Sequence, residues 1–152
     1  MNTKRLKVLL CCYACDPTQG SEPGVGWQFA RIISQHHDTH VIVEEKFKNN
    51  IELYTNLHPE ISKNITFHYI KRERHKILRK MWPPSYYSYY RKWQREAYQY
   101  AKKLHAEHNF DLVHQITLAG YRVPGFLWKL NIPFIWGPIG GLNQTSWRLL
   151  PG

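Results

Sequence analysis

The chain has 152 residues, which is about one domain and enough for a single buried core. Hydrophobic residues make up 43% of it, so the composition excludes a disordered or collagen-like chain. No apolar run approaches the roughly 20 residues of a membrane-spanning helix, and no signal-peptide core is evident, which predicts a cytosolic protein. The formal net charge of +10 comes mostly from residues 71–103, where eleven Lys or Arg accompany two Glu, and this favours an anionic partner there.

The first half of the chain alternates between predicted strands and helices. Residues 7–13 (KVLLCCY) form an unbroken apolar run, which is typical of a strand buried on both faces of a parallel sheet. A loop rich in Gly and Pro follows, and the apolar spacing then predicts a helix over residues 25–34. The next predicted elements are a strand over 39–45, a helix over 46–57 and a strand over 65–70.

The second half continues the alternation. A helix over 75–82 is predicted to end at Pro83-Pro84, because proline cannot continue a helix, and a longer helix runs from 86 to about 108. A strand over 110–117, a short helix over 121–131 and a strand over 132–141 complete the series. This order predicts an α/β fold, a single Rossmann-like domain over residues 1–152 with a doubly wound parallel sheet.

The long helix over 86–108 is predicted to be amphipathic. At about 100° per residue, one face collects Trp93, Ala97, Tyr100, Ala101, Leu104 and His108. The opposite face collects Arg91, Arg95 and Lys102. We therefore expect an apolar inner face and a basic outer stripe.

Clusters of cysteine and histidine raise the question of a metal or redox site. Three cysteines lie close together: Cys11, Cys12 and Cys15. No second ligand pair follows them, so we expect Cys11 and Cys12 to pack as small apolar residues at a strand end. We predict that His36, His37 and His40 are solvated residues of a loop, and we expect no metal or other cofactor.

Three features fall at the carboxyl ends of predicted strands, where ligands bind in open parallel sheets. They are the loop GSEPGVG at residues 20–26, His114, and the glycine segment GPIGG at residues 137–141. The loop leads into a helix N-terminus, which suits a phosphate, although a plain connecting loop has the same composition. His114 has two interpretations, a hydrogen bond to a ligand hydroxyl or phosphate and a hydrogen bond to a backbone carbonyl.

The same loop, together with Glu44, partly matches a dinucleotide-binding fingerprint. Phe29 stands where that fingerprint has its third glycine, and Gly24 comes eleven positions after Tyr13 instead of directly after the strand. We therefore do not expect a nicotinamide enzyme.

Two stretches resemble the N-terminal domain of glycosyltransferase family 4, in a bacterial branch of that family. YACDPTQGSEPGVGWQFA resembles its first loop and helix, and FDLVHQITLAGYRVPGFLWKLNIPFIWGPIGG resembles its fourth strand through its glycine loop. Together they cover about half of the chain. The resemblance implies a GT-B architecture, in which two Rossmann-like domains face a cleft. It also implies retaining sugar transfer in polysaccharide or glycolipid biosynthesis.

The resemblance implies roles for individual residues. In that family the N-terminal domain mainly binds the acceptor, and the C-terminal domain binds the nucleotide sugar. His114 matches the family's histidine near the transferred sugar and is the candidate catalytic residue. Glu22 is a candidate acceptor contact, although its charge also suits a helix N-terminus. The candidate donor- and acceptor-binding residues are Gly20, Ser21, Glu22, Gly24, Val25, Gly26, Gly137, Gly140 and Gly141.

The family's paired glutamates and basic diphosphate clamp lie in its C-terminal domain, which these 152 residues do not include. We therefore expect little or no turnover from this chain alone, because transfer needs a positioned donor and a stabilised leaving diphosphate. The expected partners are a nucleotide sugar, a glycan or lipid-linked acceptor, and a C-terminal domain or partner chain.

Tyrosine and tryptophan interleave with the basic residues of segment 71–103, a composition that suits an anionic membrane surface. The candidate membrane contacts are Arg79, Lys80, Trp82, Arg91, Arg95 and Lys102. We expect a cytoplasmic protein, peripheral on the inner face of the plasma membrane. The alternatives are a non-catalytic module that binds a membrane or partner through 71–103, and a merely solvated stripe. No nucleic-acid-binding motif is present, so nucleic acid is not an expected partner.

Overall fold

The computed structural model describes residues 4–71, 85–118 and 124–140. The strands are β1 Lys7–Cys12, β2 Asp38–Glu44, β3 Ile65–Ile70, β4 Leu112–Gln115 and β5 Phe134–Trp136. The helices are α1 Ser21–His36, α2 Lys48–Leu57, α3 Pro59–Ser62 and α4 Ser85–His108. Two short 3₁₀ helices cover Glu45–Phe47 and Leu127–Leu130.

The five strands form one parallel sheet in the order β3-β2-β1-β4-β5. From β1 the chain moves outward through β2 and β3, and it then crosses back to place β4 on the other side of β1. The order of strands therefore reverses between β1 and β4, which defines the switch point of a doubly wound sheet. This arrangement confirms the predicted α/β, Rossmann-like fold.

Strand β1 lies at the centre of the sheet, and helices cover both of its faces. The Cys12 thiol lies 3.8 Å from the Gly26 carbonyl oxygen of α1. The next residue, Tyr13, packs its ring edgewise against Tyr90 and Trp93 of α4, with ring centroids 5.0 and 4.9 Å apart. Because successive side chains of a strand point to opposite faces, α1 and α4 lie on opposite sides of the sheet. Burial on both faces explains the continuous apolar run in the sequence.

Helix α4 has the amphipathic character predicted for it. Trp93, Ala97, Ala101 and Leu104 are buried against the sheet, while Tyr100 of the same predicted face is exposed. The opposite face exposes Arg91, Arg95 and Lys102. Within the described ranges, no helix has the length and apolar character needed to cross a membrane.

The predicted glycine loop is wrong in part, because α1 begins at Ser21 and includes residues 21–26. Pro23 is compatible with a helix at this point, since the first turn requires no hydrogen bond from its nitrogen. The glycines that favoured a loop are needed instead for close packing of the helix, as described below.

The prediction that His40 is a solvated loop residue is also wrong, whereas the strand predicted over 39–45, which includes His40, is confirmed. His40 belongs to β2 and is buried, with its ring stacked on His68 of β3 at a centroid distance of 5.2 Å. The partners of His40 are distant in sequence, so the local pattern of histidines did not reveal them. His36 ends α1 and His37 follows it.

The structure tests one further helix prediction in part and another not at all. Of the helix predicted over 121–131, the described part contains only the 3₁₀ helix Leu127–Leu130, which follows Pro124 and a glycine with φ of 68° at position 125. The helix predicted over 75–82 lies outside the described residues.

Cys11 and Cys12 are buried free thiols, as expected for small apolar packing residues, and Cys15 is a buried free thiol as well. Burial raises the pKa of the Cys11 thiol to about 12 and also raises the pKa values of Cys12 and Cys15. The thiolate forms that zinc binding or redox chemistry needs are therefore disfavoured.

Candidate functional site

The predicted site residues meet at the carboxyl edge of the sheet, next to the switch point between β1 and β4. The Glu22 carboxylate, in the first turn of α1, accepts a hydrogen bond from the backbone N–H of Leu118, just beyond β4. The Thr117 hydroxyl accepts another from the backbone N–H of Ala14, just beyond β1, at 3.0 Å. These contacts join the start of α1 to the ends of both strands.

Gly24 and Gly26 allow α1 to pack closely against the loop that follows β1. A Cβ on Gly26 would lie 2.1 Å from the Ala14 carbonyl oxygen, and one on Gly24 would lie 2.6 Å from the Gln19 carbonyl oxygen. No side chain larger than hydrogen fits at either position without a shift of the backbone. The glycines therefore set the position of the helix N-terminus relative to β1.

Gly20 and Ser21, two of the predicted binding residues, lie at the N-terminus of α1. Its N-cap residue, Gly20, has no side chain with which to accept a hydrogen bond from the first turn. The backbone N–H groups of its first turn have no partner within the helix, and together with the helix dipole they favour an anion. Ser21 has a φ of 55°, in the left-handed region that residues with a Cβ rarely adopt.

A pocket of about 560 Å³ lies beside this helix start. Four predicted binding residues contribute to its lining, and its remaining wall comes largely from apolar side chains of α1. The lining residues are Gln19, Gly20, Ser21, Gly24, Val25, Gln28, Phe29, Ile32 and Ile33. The pocket thus combines a polar end at the helix N-terminus with an apolar wall.

His114 lies in β4 on the α1 side of the sheet, with only 8% of its surface exposed. Its Nε2 lies 2.8 Å from the Gly137 carbonyl oxygen, which can only accept, so Nε2–H donates and Nδ1 is left as an acceptor in the neutral ring. The Phe29 ring packs edgewise at 5.7 Å. Burial lowers the pKa of His114 although the Gly137 carbonyl opposes it, so the ring is neutral at pH 7. The backbone contact is thus present, while a ligand contact stays a prediction.

Gly137, the first glycine after β5, contacts two residues of β4 at this site. Its backbone N–H donates to the Gln115 carbonyl oxygen at 3.0 Å, and its φ of 152° favours glycine. Gly140 is exposed, with open space around the position of a Cβ. Gly141 lies outside the described residues. Of these three glycines, the described contacts place Gly137 beside His114.

Asp16 is a buried residue of this edge that the sequence analysis missed. Burial alone would raise its pKa, but hydrogen bonds from Thr18, Asn50 and Gln19, at 2.7 to 2.8 Å, lower it. The carboxylate therefore holds the loop after β1 against α2. The signal in the sequence was the Asp-Pro-Thr turn, since aspartate commonly accepts hydrogen bonds from residues two positions ahead.

The basic residues proposed for membrane contact are described only in part. Arg95 lies 5.7 Å from the Phe126 ring centroid, and Lys102 lies 5.8 Å from that of Tyr98. Three candidates lie outside the described residues: Arg79, Lys80 and Trp82. In the part of the chain that the structure describes, no three His, Cys, Asp or Glu side chains are grouped to hold a metal ion.

Comparison with known proteins finds similarity to a solved structure. No family model matches the chain, and no curated protein matches it. Among solved structures, it is similar to UGT73P12 of Glycyrrhiza uralensis, a GT-B glycosyltransferase solved in complex with glycyrrhetinic acid 3-O-monoglucuronide. The two are 15% identical with a TM-score of 0.56, over 86% of this chain and 27% of the plant protein. The likeness shows a Rossmann-like fold. At this identity the likeness concerns the fold alone.

Proposed function

We propose that this chain is the acceptor-side half of a retaining family 4 glycosyltransferase. It would move a sugar from a nucleotide-sugar donor to a glycan or lipid-linked acceptor. The observation that carries the proposal is the meeting of the α1 N-terminus, His114 and Gly137 at the carboxyl edge of the sheet, beside the switch point. The fold shared with a GT-B glycosyltransferase supports it.

Each part of this edge has a role in the proposed reaction. The first-turn N–H groups of α1 would approach the donor diphosphate and offset its charge as the bond to the sugar breaks. His114, with its Nε2–H held by Gly137, would accept a hydrogen bond from a sugar hydroxyl through Nδ1. The apolar wall of the pocket beside α1 would receive the apolar part of a lipid-linked acceptor.

Replacement of His114 by glutamine tests the catalytic part. In the complete enzyme, with its donor-binding domain, we expect H114Q to lower the rate of sugar transfer by about tenfold, the usual effect of losing one hydrogen bond to the substrate. A glutamine amide can still donate to the Gly137 carbonyl, so the melting temperature should stay near that of the wild type. The readout is transfer from a radiolabelled nucleotide sugar.

The matched control for this experiment is His36→Gln, at an exposed histidine that ends α1. It should leave transfer unchanged. Full transfer by H114Q would reduce His114 to a structural hydrogen-bond donor and would remove it from the mechanism.

A membrane-binding role is a second proposal, and the exposed basic face of α4 supports it. Arg91, Arg95 and Lys102 would contact anionic headgroups, each contributing about 1 kcal/mol. We expect the protein to cosediment with phosphatidylglycerol vesicles but not with phosphatidylcholine vesicles, and to be released by salt. The triple glutamine variant should lose most of this binding. Absence of salt-sensitive binding would overturn the proposal, while membrane binding without any sugar transfer would favour the non-catalytic module.

A further inference from the structure

A second pocket, of about 420 Å³, lies between α4 and the 3₁₀ helix Leu127–Leu130. It faces the α4 side of the sheet, whereas α1 and His114 lie on the other side. Its lining residues are Tyr87, Arg91, Gln94, Pro124, Gly125, Phe126, Trp128 and Lys129. None of them lines the pocket beside α1, so the two pockets are separate.

Gln94 is the most informative residue of this pocket. It is only 4% exposed, yet neither the nitrogen nor the oxygen of its side-chain amide has a hydrogen-bond partner among the described residues. Burying an amide without a partner is unfavourable, so buried amides are nearly always paired. The adjacent Trp93 does find a partner, donating to the Ile70 carbonyl oxygen at 3.1 Å. A carboxamide both donates and accepts, which matches a ligand that carries neighbouring hydroxyl groups.

Gly125 provides the space in which this amide lies. It has a φ of 68°, and a Cβ there would lie 3.1 Å from the Gln94 amide nitrogen and 2.5 Å from the Gln115 amide oxygen. The Gln115 amide nitrogen, at the end of β4, is also buried, and no group in the described ranges pairs with it. Two incompletely paired amides therefore meet next to Gly125.

The rim of the pocket is cationic and aromatic. Arg91 and Lys129 are exposed, and the described lining residues include no carboxylate to neutralise them. Trp128 is 52% exposed, and its indole N–H donates to the Gly125 carbonyl oxygen at 3.2 Å, which holds the ring at the rim. Aromatic surface, a donor-acceptor amide and two cations together suit a polar ring that carries a negative charge.

We propose that this pocket binds an anionic monosaccharide unit, a sugar that bears a phosphate group. Gln94 contacts the sugar hydroxyls, Arg91 and Lys129 contact the phosphate, and Trp128 packs against the apolar face of the ring. The proposal rests on this pocket and does not depend on the proposed transferase function. Binding is therefore measurable whether or not any sugar is transferred.

Titration calorimetry of the purified protein with glucose 1-phosphate tests the proposal, with glucose and inorganic phosphate as partial probes. We expect glucose 1-phosphate to bind more tightly than either. Gln94→Met should weaken its binding at least tenfold and yet raise the melting temperature, because the variant removes a buried amide without a partner. A residue with a purely structural role would not combine these two effects.

Variants that remove one positive charge test which residue contacts the phosphate. Arg91→Gln should weaken the binding of glucose 1-phosphate but leave the binding of glucose unchanged. The matched control is Lys102→Gln, which removes an exposed cation of the same helix outside the pocket lining. It should leave both affinities unchanged.

Three results would each overturn the proposal. If glucose 1-phosphate binds no better than inorganic phosphate, the pocket is only an anion site. Unchanged binding by Gln94→Met would remove the amide from the site. Tighter binding of uridine monophosphate would indicate a nucleotide. Loss of transfer in His114→Gln bears on none of these measurements.

Discussion

Gly26 determines how closely α1 approaches the end of β1. At an exposed position inside a helix, alanine stabilises the helix relative to glycine by up to about 1 kcal/mol. Here a Cβ would lie 2.1 Å from the Ala14 carbonyl oxygen, so packing reverses that preference.

We predict that Gly26→Ala lowers the free energy of unfolding by about 2–3 kcal/mol, because the backbone of α1 must move away from the loop. Urea unfolding followed by circular dichroism measures the change. The matched control is Gly20→Ala, at a residue with an ordinary φ of -83° and open space around the Cβ position. That variant should stay within about 0.5 kcal/mol of the wild type. Equal stability of the two variants would contradict the close approach.

At the scale of secondary-structure elements, a group of histidines joins β2, β3 and α4. His40 Nδ1 lies 3.0 Å from His68 Nε2, and the His108 ring of α4 lies 4.3 Å from that of His40. The Tyr100 hydroxyl lies 3.3 Å from His68 Nδ1. Burial and the neighbouring histidines lower the pKa of His68 to about 4. Burial and then His108 lower that of His40, with Lys7 adding to the shift and Asp38 opposing it.

These shifts predict that the fold loses stability in acid. Between pH 6.5 and about 4 the unfolded chain binds protons that the folded chain does not, so stability is complete above pH 6.5 and falls as the pH approaches 4. After allowance for solvent screening, the loss is about 1–2 kcal/mol. Urea unfolding at several pH values between 7.5 and 4 measures it. His68→Asn should flatten the pH dependence, whereas the exposed control His36→Asn should not. A wild-type slope in the His68 variant would exclude the cluster as the cause.

At the scale of the whole molecule, the proposed transferase needs a second Rossmann-like domain to bind the donor. We predict that the protein from its native source has an intact mass of about twice 18.2 kDa or more, as two domains of ordinary size require. Mass spectrometry of the purified protein measures this directly. A mass near 18.2 kDa would require a partner chain to supply the donor site or would favour a non-catalytic role.

Parts of the fold and site were predictable because their signals are local. The apolar run of β1, the period-two pattern of β3 at residues 65–70 and the amphipathic pattern of α4 each follow from one segment. The strand position of His114 was predictable for the same reason. The start of α1 was not, because Gly24 and Gly26 carry the composition of a loop while serving close helix packing.

By itself, the sequence determined the alternation of strands and helices, the burial of Cys11 and Cys12 and the basic stripe on α4. Those features depend on residue type and on spacing along one element. Only the tertiary structure decided that His40 stacks on His68, that Glu22 is bonded to Leu118, and that the amides of Gln94 and Gln115 meet beside Gly125. Such contacts join residues far apart in the chain, and they exist only after the strands pair and the helices pack against them.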